Sequence, residues 1–148
     1  MLFARGAAMQ RALSALFERR DVDKRYVAVV AGEVAADAGE IDLPFAADWP
    51  NRPRQLVDRE RGKPSLTRWR VLAREAGRTR LELEPRTGRS HQLRVHLASI
   101  GHPIVGDALY APPEVARAAP RLLLHASALR FTHPLTGAAR SWDSAPPF

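Results

Sequence analysis

The hydrophobic pattern divides the chain into a few short elements. Residues 7–19 place Met9, Leu13, Leu16 and Phe17 on one helical face, with Gln10, Arg11 and Glu18 elsewhere, which predicts an amphipathic helix. Lys24 to Val30 (Lys-Arg-Tyr-Val-Ala-Val-Val) is rich in β-branched residues and stops before Gly32, as a strand does. A polar segment follows, broken by Gly39, Pro44, Pro50 and Pro53. Two further strands are expected at Leu66–Leu72 and Thr79–Leu83, joined by a turn near Gly77. Ser90 to Ile100 has the pattern of a helix. Ser90 suits the N-cap, Leu93, Leu97 and Ile100 form a stripe, and Gly101 and Pro103 end it. Arg121 to Phe131 is expected to be the last strand.

Strands outnumber helices, and the helices are not spaced as crossovers between parallel strands. The expected class is therefore α+β with a largely antiparallel sheet. No internal repeat or long linker appears, so residues 1–148 are expected to form one domain. No run approaches the length of a membrane helix, and Met1 to Met9 lacks the apolar core and cleavage pattern of an export signal. The chain has no cysteine, which removes disulfide and thiolate chemistry and is compatible with the cytoplasm.

Charge changes the picture more. The 148 residues carry 23 Lys and Arg against 16 Asp and Glu, a formal net charge of +7. All of the cations except Lys24 and Lys63 are arginine. A GC-rich genome would itself inflate arginine, so the excess charge, not the choice of arginine, points to a polyanionic partner.

Three segments could carry chemistry. In 86–96 (Arg-Thr-Gly-Arg-Ser-His-Gln-Leu-Arg-Val-His), Gly88 permits a sharp turn, and Arg89, Ser90, His91, Gln92 and Arg94 crowd the start of the helix. So many polar groups beside a turn favour an anion site over an ordinary solvated helix start. In Lys24-Arg25-Tyr26, alternation puts Tyr26 on the face of Lys24 and opposite Arg25. Base stacking is one reading of that tyrosine, but spacing alone favours a half-buried strand residue. Residues 52–70 hold Arg52, Arg54, Arg59, Arg61, Lys63, Arg68 and Arg70 against only Asp58 and Glu60, flanked by Trp49 and Trp69. This segment suits either RNA or plain solvent. The five histidines have no metal-ligand spacing, and no Gly-rich phosphate loop or nucleophile elbow occurs. Asp107, after Pro103 and Gly106, has the setting of a turn residue bonding nearby backbone.

Together these segments resemble the RluA family of pseudouridine synthases. The resemblance rests on Gly88-Arg89-Ser90-His91-Gln92-Leu93-Arg94-Val95-His96 and on Gly101-His102-Pro103-Ile104-Val105-Gly106-Asp107 with Tyr110. It extends to Arg121-Leu122-Leu123-Leu124-His125-Ala126, His133-Pro134, the Pro-Phe ending and the Lys-x-Tyr strand at 24–26. Trp49-Pro50-Asn51-Arg52-Pro53 and Gly62-Lys63-Pro64 resemble the subgroup named for RluA itself.

The resemblance implies the pseudouridine synthase catalytic fold, a mixed, mostly antiparallel sheet with flanking helices. It implies isomerisation of uridine in structured RNA, ribosomal or transfer, with no cofactor or metal, by a cytoplasmic monomer. Arg94 would pair with a catalytic aspartate, and Tyr26 would stack on the flipped base and help remove the C5 proton. Leu124 would line the pocket. Arg89, His91 and Gln92 would hold RNA or build the active-site loop. From the charge pattern, Lys24, Arg25, Arg52 and Arg54 are added as expected RNA contacts.

The family's aspartate lies in a His-Arg-Leu-Asp segment that has no counterpart here, since the match begins at Leu2-Phe3-Ala4. The fold is thus expected to be incomplete at its start, with a sheet edge or apolar face uncovered, and the chain alone to be inactive. The alternative is a non-catalytic RNA-binding protein that keeps the fold.

Overall fold

The computed structural model describes residues 2–148. Its main sheet has six strands: β1 (Val22–Ala31), β2 (Ala38–Asp42), β5 (Leu66–Glu75), β6 (Arg78–Pro85), β7 (Leu124–Thr132) and β8 (Ala139–Asp143). Their order is β2-β5-β6-β1-β7-β8, and every pairing is antiparallel. β3 (Phe45–Ala47) and β4 (Gln55–Val57) form a separate two-stranded ribbon. The helices are α1 (Ala7–Arg19), α2 (Gln92–Ser99) and the short α3 (Pro113–Arg117). This is the expected α+β class.

β1 lies between β6 and β7, and its sequence suits an inner position. Val27 to Val30 are all buried, so both faces of the strand's second half are covered. β5 and β6 form a hairpin whose turn uses two left-handed residues, Ala76 (φ 36°) and Gly77 (φ 76°). On one face of the sheet, Leu81 and Leu83 of β6 meet Ala28 and Val30 of β1, and α2 closes this core with Leu93 and Leu97. A second cluster joins Leu13 and Leu16 of α1 to Val22 and Phe131, with Leu2 against it. Phe3 stands 78% exposed near this end, and β8 is exposed along its whole length.

Several expectations need correction. α2 starts at Gln92, not Ser90, and Ser90 does not cap it. The residue before the helix is His91, held in the left-handed region (φ 59°), and the turn is tied by the Gln92 side chain instead of a serine hydroxyl. Ile100, the expected third member of the stripe, is partly exposed after the helix end. β7 begins at Leu124 and is not the last strand, because β8 returns along it after the turn at 133–138. The polar segment between 31 and 66 holds three short strands rather than loop alone.

Candidate active site

The site forms where β1, β7 and the turn before α2 come together. Lys24 and Tyr26 project from β1, Leu124 from the start of β7, and Arg89, His91, Gln92 and Arg94 from segment 86–94. All seven line one open cavity of about 420 Å³, within the range of small-ligand sites. Phe17 of α1 and Thr87 complete much of the wall. Three distant stretches of sequence thus converge, which the residue pattern alone did not establish.

Gln92 builds the turn. It is 4% exposed, yet both ends of its amide are satisfied. Its Oε1 accepts from the Thr87 hydroxyl (2.7 Å) and the Arg89 backbone N–H (3.2 Å). Its Nε2 donates to the Leu66 carbonyl (3.0 Å) and the Thr67 hydroxyl (3.1 Å). Gln92 therefore fixes the loop against β5, and no polar atom of it is left to meet a ligand. Arg89 donates from Nε to the Pro64 carbonyl, which anchors its stem while it still lines the cavity.

Arg94 already has one carboxylate partner. Its Nε and Nη2 donate to Asp107 at 2.8 and 2.6 Å, a bidentate fork. The Asp107 carboxylate is fully covered and also accepts from the backbone N–H groups of Leu109 and Tyr110. Burial would raise the Asp107 carboxyl pKa. The hydrogen bonds from Arg94, Leu109 and Tyr110, with the guanidinium charge, outweigh it and hold the group below its ordinary range. Asp107 is the turn residue the sequence indicated, and also the carboxylate that orients Arg94. The remaining nitrogen, Nη1, makes no hydrogen bond among the described residues.

Burial shifts Lys24, Tyr26 and His91 in the direction of their neutral forms. Burial, then the charge of Arg86, lowers the Lys24 ammonium. Burial raises the Tyr26 phenol, so it stands protonated at neutral pH. Burial and the nearby Arg94 charge lower His91, and Asp107 only partly opposes them. No carboxylate is among the residues that line the cavity.

Three expected site residues lie elsewhere. Arg25 sits on the opposite sheet face, as alternation requires, and its guanidinium meets Glu84 at 2.9 Å, with Glu82 and Asp23 nearby. It is spent on a carboxylate cluster and is not part of the cavity wall. Arg52 and Arg54 lie on the β3–β4 ribbon loop, outside the wall. Arg52 stacks 3.5 Å from the ring of Trp49, itself 69% exposed, and Arg54 approaches the ring of Tyr110. The basic run 52–70 is also split, for Arg68 pairs with Glu40 and Arg70 with Glu82. His96 is buried between the Thr67 hydroxyl and the Leu43 carbonyl, a structural position. Phe17, assigned by periodicity to the helix's core face, is instead 42% exposed at the cavity. Tyr110 and Thr87 were missed as site builders. The only sequence signal for either was the Gly106-Asp107-x-x-Tyr110 spacing.

An antiparallel sheet carrying a basic, aromatic-walled cavity beside exposed arginines is an arrangement that suits a polyanionic ligand such as RNA. Comparison narrows the class. Residues 1–99 match the RNA pseudouridylate synthase family model. The chain is 48% identical over 149 residues to a dual-specificity RNA pseudouridine synthase RluA of Pasteurella multocida, covering all of this chain and 68% of that protein. It is 54% identical over 134 residues to the protein of the same name in Vibrio cholerae, covering 90% of this chain and 55% of that one. Among solved structures, human RNA pseudouridylate synthase domain containing 1 superposes with a TM-score of 0.83 at 28% identity, over 97% of this chain and 62% of its own. The chain belongs to the RNA pseudouridylate synthase family, and it spans between about half and two thirds of the length of these relatives.

Proposed function

We propose that residues 1–148 form one domain that supplies the uridine pocket of an RNA pseudouridine synthase acting on structured ribosomal or transfer RNA. The reading places it in the cytoplasm as a monomer. The observation that carries it is the convergence of Lys24, Tyr26, Arg89, His91, Arg94 and Leu124 on one cavity. A base flipped from its stack would lie against the Tyr26 ring and Leu124, and Lys24 and Arg89 would meet its phosphates. Asp107 holds one edge of the Arg94 guanidinium, which leaves Nη1 to meet the nucleophilic carboxylate implied by the family resemblance. In the reaction the N1–C1′ bond breaks and a C5–C1′ bond forms, while C5 loses a proton and N1 gains one.

Two measurements test this reading. The 148-residue chain should bind a uridine-bearing RNA stem-loop with strong salt dependence. Lys24→Ala and Arg89→Ala should each reduce the slope of log K against log salt by about 0.7 to 0.9. An unchanged slope in both would remove the cavity from the RNA path. Tritium release from C5-labelled uridine in RNA should be absent with this chain, whose cavity is lined by no carboxylate. It should appear when a segment carrying the His-Arg-Leu-Asp motif implied by the family resemblance is placed before residue 1. Turnover by the 148-residue chain would refute the need for an added carboxylate. The non-catalytic alternative predicts the same binding but no turnover in either form.

A further inference from the structure

Tyr110 lies outside the cavity wall, yet four parts of the site meet at it. Its hydroxyl receives the backbone N–H of Gln55, at the start of β4, at 2.9 Å. The same hydroxyl lies 2.7 Å from His91 Nδ1. Its backbone N–H donates to Asp107, the carboxylate that holds Arg94. The Arg94 and Arg54 guanidiniums approach its ring, with their central carbons 4.9 and 5.6 Å from the centroid.

The hydrogen-bond accounting assigns a proton. Gln55 N–H can only donate, so it takes one acceptor position on the Tyr110 oxygen. The hydroxyl proton then has one acceptor within reach among the described residues, His91 Nδ1. If Nδ1 accepts, the proton of a neutral imidazole resides on Nε2. The phenol is pushed further toward its protonated form by burial, and the imidazole toward neutrality by burial and the Arg94 charge, which is the state this arrangement requires.

We propose that Tyr110 is a positioning residue that ties the Arg52–Gln55 loop to the cavity and fixes His91 as its Nε2–H tautomer, so that the ring offers a hydrogen-bond donor to an RNA oxygen. His91 is held in a left-handed backbone, and the Tyr110 hydroxyl is the side-chain hydrogen-bond partner of its ring among the described residues. The RNA-facing part of this inference rests on the cavity being an RNA site, whereas the tautomer does not.

The test has two independent arms. In ¹⁵N-labelled protein near neutral pH, long-range imidazole spectra of His91 should report Nδ1 as a bare acceptor and Nε2 as protonated. In Tyr110→Phe the two nitrogens should move toward averaged values. A protonated Nδ1 in the wild type, or an unchanged spectrum in the variant, overturns the assignment. In the second arm, Tyr110→Phe and His91→Ala should each weaken binding of a fluorescein-labelled RNA stem-loop by about 3- to 10-fold, with the double variant no weaker than the worse single one. Additive losses would overturn the coupling, because they would mean that the two residues act separately. If the wild type does not bind the RNA, the donor role and the RNA reading fail together, while the spectra still decide the tautomer.

Discussion

Replacing Asp107 with alanine should cost about 3–5 kcal/mol of folding stability, the scale for removing one partner of a buried ion pair. Arg94 is 16% exposed and Asp107 fully covered, so the stranded guanidinium recovers only part of its hydration at the mouth of the cavity. The backbone N–H groups of Leu109 and Tyr110 lose their acceptor in the same step. Thermal and urea melts of the two chains measure the difference; for a chain of this size the melting point should fall by about 10–15 °C. Asp107→Asn should cost less, since it keeps the shape and one carbonyl oxygen. Removing both charges, Arg94→Leu with Asp107→Ala, should cost less than the sum of the single changes. A loss under about 1 kcal/mol in Asp107→Ala would mean that the pair is not buried as described.

The same carboxylate carries a pH signature. Its folded pKa lies below the ordinary value of 3.8, so its contribution is complete above that value. It is lost as pH falls through the lower folded pKa. The stability gap between wild type and Asp107→Asn should therefore be constant at neutral pH and narrow once the pH drops below about 4. A gap that persists to pH 2 would exclude ionised Asp107 as its source.

How much of this could be read in advance depended on the range of the interactions. β1, α1 and the β5–β6 hairpin were legible because their patterning is local: alternation along Lys24–Val30, a four-residue stripe, a glycine turn. Alternation also set Lys24 and Tyr26 on one face and Arg25 on the other, and the structure keeps that division. β2, β3 and β4 escaped because short strands among prolines have no run long enough to show a period. The start of α2 was misplaced because its stop signals are local while its true anchor is not. Gln92 is pinned by Leu66 and Thr67 from β5, more than twenty residues away. The largest gap was Asp107. Its Asx-type bonds to Leu109 and Tyr110 follow from the turn chemistry, but nothing in the spacing tells that Arg94, thirteen residues earlier, folds back onto the same carboxylate.

Tyr26→Phe should lower turnover by about 100-fold or more while leaving RNA affinity within about 2-fold, if the phenol moves the C5 proton. The ring that stacks on the base is retained, so the loss falls on the chemical step. Tyr26→Leu should in addition weaken binding, because stacking on an aromatic ring is worth about 1–3 kcal/mol per base. The experiment uses a chain that carries the aspartate segment implied by the family resemblance, assayed by tritium release and by RNA binding in parallel. Burial raises the Tyr26 pKa, so at neutral pH only a small fraction is phenolate. A tyrosine base in that state gives a rate that climbs with pH across the neutral range, and the climb should vanish in Tyr26→Phe. A tyrosine that only stacks gives the opposite result: the phenylalanine variant turns over at the wild-type rate with an unaltered pH profile, and the proton must then leave to another group.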